Sequence, residues 1–127
     1  MINESRIMNV QSLKGIFGKC PNFLGSELMN VEINRDGPAM KIKFMTNEKV
    51  INKPKRWLDF NVVYIELLII GVGNLKISGL GTNNIIKNLD IFSEEDEAVF
   101  KLLCENEMSI ECNFAAIRVQ EVKPGLI

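Results

Sequence analysis

Histidine is absent from all 127 residues. Its absence excludes Ser-His-Asp and Cys-His nucleophile activation, histidine general bases and every His-containing metal site. Carboxylates, lysine and tyrosine also support catalysis, but the commonest machinery is missing, so the composition leans toward binding. Long apolar runs are missing as well. The most apolar stretch, Val62–Ile70, is nine residues long and contains Glu66, whereas a membrane helix needs about twenty. Met1–Arg6 has no positive region leading into an apolar one, so it does not read as a signal peptide. No sign of charge dominates: fifteen Lys and Arg against sixteen Asp and Glu leave a net charge of −1. The broad positive field of a nucleic-acid binder is not there. These absences predict a soluble cytoplasmic protein with no nucleic-acid or membrane partner.

Cysteine is scarce. Cys20, Cys104 and Cys112 are odd in number and no pair has CxxC spacing. Four-Cys zinc sites are excluded by count, and a small secreted domain normally carries a fuller, even set. We expect three reduced, partly buried thiols. A Cys104–Cys112 bridge stays open if the two face each other across a hairpin. We expect no metal and no cofactor.

What is present suits one domain over residues 1–127. Hydrophobic residues make up 46% and charged residues 24%, an ordinary globular balance. Ile7, Val10, Leu13 and Phe17 recur at spacings of three and four, which predicts a helix over about residues 5–17. Asn3 or Ser5 suits its cap, and Gly18 and Pro21 supply its stop signals.

After Pro21 the period becomes two. Met29, Val31 and Ile33 alternate with polar residues up to Asp36-Gly37, and Met40, Ile42 and Phe44 alternate with Lys41 and Lys43 on the return, which reads as a β-hairpin. A polar, basic connector over 46–56 leads to Trp57, the only tryptophan. The apolar stretch at 61–70 predicts a central strand covered on both faces. Leu75 and Ile77 mark a further strand, and Ile85–Ile91 a short one. Val99–Cys104 fits a strand or a helix face behind a Ser93/Asp96 capping arrangement. The plainly β pattern from Met108 to Val122 favours the strand. The sum is a mainly β domain over about 27–122, of seven to eight strands with one N-terminal helix, in an antiparallel meander forming a sandwich or half-barrel.

Few residues suggest chemistry. Gly71, Gly73, Gly79 and Gly81 fail the dinucleotide spacing, because Lys76 stands where the third glycine belongs, and they read as turn glycines. Glu94, Glu95, Asp96 and Glu97 lack the alternating ligands of a calcium loop. They read either as a solvated loop or as an acidic patch that meets a basic partner. Glu66 interrupts an apolar strand and needs a partner or exposure. It suits a position opposite Lys41 or Lys43, or an acidic site on an exposed sheet face. Lys49, Lys53, Lys55 and Arg56 beside Trp57 and Phe60 mix cations with aromatics as single-strand nucleic-acid grooves do, but the run is short and Trp57 reads as core. No residue is assigned a catalytic role.

The order of several motifs is informative. Cys20-Pro21-Asn22-Phe23-Leu24 follows the helix. The hairpin Val31-Glu32-Ile33 with Asp36-Gly37 is next, then Pro54-Lys55-Arg56-Trp57. Asn61-Val62-Val63-Tyr64-Ile65-Glu66-Leu67 leads to Leu75-Lys76-Ile77-Ser78-Gly79, and Leu89-Asp90-Ile91 follows. Over residues 7–122 this order resembles the immunity protein 50 family of bacterial polymorphic-toxin systems. The resemblance implies a cytoplasmic antitoxin that binds the C-terminal domain of a cognate secreted toxin and inhibits it stoichiometrically, without cofactor or catalysis. The expected toxin-binding residues are Glu94, Glu95, Asp96 and Glu97, then Glu66 and Tyr64. A non-enzymatic ligand-binding β domain and a structural assembly subunit are the alternatives. Nothing in the sequence indicates a homo-oligomer.

Overall fold

The computed structural model describes residues 1–127. Nine strands and one short helix follow one another as β1 (Ile7–Met8), α1 (Gln11–Phe17), β2 (Glu27–Asn34), β3 (Ala39–Thr46), β4 (Val62–Ile70), β5 (Gly73–Ser78), β6 (Ile86–Ser93), β7 (Ala98–Cys104), β8 (Ser109–Asn113) and β9 (Ala116–Gly125). They form a five-stranded sheet in the order β1-β9-β4-β3-β2 and a four-stranded sheet in the order β5-β8-β7-β6. All neighbours are antiparallel except β1 and β9. The architecture is a mainly β two-sheet sandwich and not a closed barrel.

Alternation builds the sandwich. Met40, Ile42 and Phe44 of β3, Ile65, Leu67 and Ile69 of β4, and Phe100 and Leu102 of β7 all point inward and are fully buried. They belong to one core cluster of 26 residues that spans both sheets. Burying apolar surface is worth about 25 cal/mol per Å², so the inward period of two is the main force that sets strand register.

The meander is extended by two long-range pairings. Each sheet contains a three-strand meander, β2-β3-β4 and β6-β7-β8, but β5 returns to β8 and β9 to β4. The β4–β9 ladder ends at Ile70↔Ala116, and the β5–β8 ladder begins at Gly73↔Asn113. One two-stranded ribbon therefore turns from sheet to sheet at a shared corner. Gly71 sits there at φ +72° with a Cβ position only 2.8 Å from the Ala115 Cβ. Its N–H and that of Val72 both donate to the Pro38 carbonyl. A second corner forms where Gly25 and Leu28 donate to the Ile86 and Asn84 carbonyls.

The N-terminal helix is shorter than its apolar spacing suggests. It covers Gln11–Phe17 only. Asn9 takes a left-handed φ of 63°, which no helix continues through. Ahead of it the chain is a strap: Ile2 pairs beside Ile91 in one sheet, and Ile7 beside Ile117 in the other. Ile7 is thus an inward strand residue whose place in the series coincides with a helical period. Neither Asn3 nor Ser5 caps the helix; Val10 is the N-cap residue, without a side-chain hydrogen bond. Gly18 does end it, left-handed and donating to the Lys14 carbonyl.

Two more expectations change or hold. The stretch at 61–70 is central in its sheet and its inner face is fully buried; on the outer face Val62 is buried, and Tyr64, Glu66, Leu68 and Ile70 are half-buried. Trp57 is core, 4% exposed, with its ring edge-on to Phe60 at 5.3 Å.

Candidate functional site

The acidic tract is the tip of a hairpin. Ser93 pairs with Ala98 as the last rung between β6 and β7, and the Glu94 N–H donates to the Glu97 carbonyl at 2.7 Å. Inward Ile91, Ala98 and Phe100 anchor the two strands, so the four residues between them must turn in solvent. Glu94, Glu95, Asp96 and Glu97 are all exposed, and none of the ion pairs in the molecule uses them. The turn is held from behind by Arg6. Its guanidinium donates to Ser93 Oγ at 2.8 Å, to the Glu94 carbonyl at 2.8 Å and to the Ala115 carbonyl at 3.3 Å. One cation therefore ties the strap, the acidic turn and the sheet corner together.

Beside the turn lies the outer face of the four-stranded sheet. Its cross-strand rows run Asp90–Lys101–Glu111–Lys76 and Phe92–Val99–Asn113. Lys101 and Glu111 are 3.7 Å apart, and Asp90 meets the Met1 amino group. Three shallow depressions adjoin here, of about 680, 390 and 240 Å³. Lys101 lines all three, and Glu97 and Val99 line the larger two. Phe92 is 46% exposed in the largest. The sequence reading missed Phe92. Its signal was its phase: it stands one step beyond inward Ile91, so alternation turns it out to solvent.

Tyr64 and Glu66 lie elsewhere, on the outer face of the other sheet. Glu66 is opposite Lys43 and 4.0 Å from Lys41 Nζ, which also reaches Glu32 at 3.5 Å. Its side chain is 22% exposed. Lys43 Nζ sits 5.1 Å from the Tyr64 ring centroid. These contacts form a cross-strand charge ladder, the pairing expected of an acid in an apolar strand. The structure does not bring the two groups together. Arg6 joins the acidic turn to Ala115, next to the Ile70 end of β4. Tyr64 is six residues from that end, about 20 Å along the strand.

The cysteines are free and separate. Cys112 pairs in register with Phe100, so Cys104 is four residues, about 13 Å, further along β7. A disulfide needs its Cα atoms within about 7 Å, which closes the option of a Cys104–Cys112 bridge. Burial raises all three thiols. It takes Cys20 and Cys112 to about 11, with Glu4 and Glu111 respectively adding to it. No three Cys, Asp or Glu side chains converge as metal ligands. No helix is long and apolar enough to cross a membrane.

No curated protein and no solved structure matches this chain. A family model does: that of Immunity protein 50, over residues 9–125. The match runs from Asn9, where the strap ends, through both sheets to Gly125, the last residue of β9. With all but the extreme termini matched, the chain belongs to the Immunity protein 50 family.

Proposed function

We propose that this protein is a non-catalytic inhibitor, which binds the C-terminal domain of a cognate secreted bacterial toxin in the cytoplasm and neutralises it one to one. Family membership supports the class. The observation that carries the mechanism is the acidic turn, whose backbone Arg6 holds through two carbonyls and Ser93 while its carboxylates stay unpaired. A surface fixed before binding loses little conformational entropy on association. Unpaired carboxylates at its tip raise the encounter rate with a basic surface. Toxin domains that act on nucleic acid carry such basic surfaces, because they must hold phosphates. The inhibitor then works by occupying the surface the substrate needs.

The experiment is co-expression. The C-terminal domain of the secreted protein encoded beside this one should arrest growth when made alone and allow growth when this chain is made with it. Continued arrest, with both proteins soluble and abundant, overturns the reading.

A further inference from the structure

The acidic turn is one border of a larger surface. We infer that the outer face of the four-stranded sheet, centred on Phe92 and Val99, is the docking face, and that its occupant is a basic protrusion of the toxin domain carrying an apolar side chain at its tip. The inference rests on the neutralisation reading and locates the contact.

Three observations converge on it. First, Phe92 and Val99 pair across the strands and line the largest depression on the surface together. Aromatic side chains, Phe included, are enriched at the centres of protein interfaces, where a few anchors carry most of the affinity. Second, the charge around them is asymmetric. Lys101 is met by Glu111, and Asp90 by the Met1 amino group. What stays unpaired at the border is Glu94 and Glu97, extended by Glu95 and Asp96, with Lys76 as the one opposing cation on the same row. An apolar centre with an unpaired acidic rim matches a partner whose apolar tip is ringed by Lys or Arg. Third, the charges at the centre of the other sheet's outer face are already met, while Arg118 on that face stays a free cation that would repel a basic partner. Lys41 bridges Glu32 and Glu66, Lys123 pairs with Glu121, and Lys43 lies over Tyr64. A partner there would have to break those contacts before making its own.

Calorimetric titration against the purified toxin domain, with stopped-flow association rates, tests the assignment. Phe92→Ala should weaken binding about tenfold or more, mostly through faster dissociation. Glu97→Lys should weaken it by a similar factor through slower association at low salt. Glu121→Lys makes the same change in net charge on the opposite face and should leave affinity within about twofold. Phe92 and Glu97 are both exposed, so both variants should melt with the parent. Binding of Phe92→Ala within about twofold of the parent overturns the docking face. So does a loss on Glu121→Lys as large as that on Glu97→Lys. Either result leaves neutralisation standing, because growth rescue by the parent reads it separately. A parent that neither binds nor rescues overturns both.

Discussion

Arg6 Nε donates a 2.8 Å hydrogen bond to Ser93 Oγ across 87 residues of sequence. The same guanidinium caps the Glu94 carbonyl and reaches Ala115 in the opposite sheet's corner. The planar fork suits this task, because one cation serves several carbonyls in fixed directions. Arg6→Ala should lower stability by about 1.5–3 kcal/mol, the range for hydrogen bonds to charged groups. Amide exchange at Glu94, whose N–H closes the turn onto the Glu97 carbonyl, should also accelerate. Arg6→Lys should recover little, since an ammonium does not reproduce the fork. Unchanged exchange in the turn would show that the hairpin holds its own shape.

Trp57 closes one end of the core, 4% exposed behind the polar connector. Trp57→Ala should cost about 3–5 kcal/mol, the range for large buried aromatics. Chemical denaturation would read it as a lower midpoint at unchanged slope. A midpoint equal to the parent's would place Trp57 outside the cooperative core.

The corner at Gly71 combines a left-handed φ with close contact to Ala115. An alanine there meets both penalties, so Gly71→Ala should destabilise by about 2–3 kcal/mol. Ala115→Gly added to it should restore part of the loss, because it removes the steric contact and leaves the φ cost. A double-mutant cycle measures the coupling; a coupling of zero would mean the corner relaxes freely.

Burial lifts Cys20 and Cys112 from 9.0 to about 11. The folded state thus holds thiol protons that the unfolded chain releases between those values. A folded pKa above the unfolded one gives stability that is complete below pH 9 and lost as pH rises toward 11. The melting temperature should fall across that window from these groups. Exchanging both residues for alanine should flatten the slope. An identical slope in the double variant would assign the alkaline loss to other groups.

Much of the fold was legible in the sequence because it is written in a period of two. The β2–β3 hairpin about Asp36-Gly37 is one case. Strand character at Val99–Cys104 is another, as is the turn after Cys104. Those are local, and alternation fixes them. The N-terminal segment shows where locality fails. Ile7, Val10, Leu13 and Phe17 satisfy a helical period, yet only the last turns are helical. Asn9 breaks the series, and two distant strands, β6 and β9, offer hydrogen bonds to the residues ahead of it.

The candidate site divides in the same way. Glu66 beside Lys41 was readable, since neighbouring strands of a meander place such residues opposite each other. That Tyr64 and Glu66 face away from the acidic turn was not, because the β4–β5 ribbon changes sheets at Gly71 and sends later residues to the other layer.

The sequence by itself determined the strand character, the buried alternate residues, the exposed acidic turn and the family, because each depends on neighbours a few residues apart or on motif order. Only the tertiary structure decided which strands share a sheet, that Arg6 braces the turn and that Phe92 lies beside Glu97 on an open face. Those facts join residues tens of positions apart, and it is packing of the whole core that selects among the pairings local pattern allows.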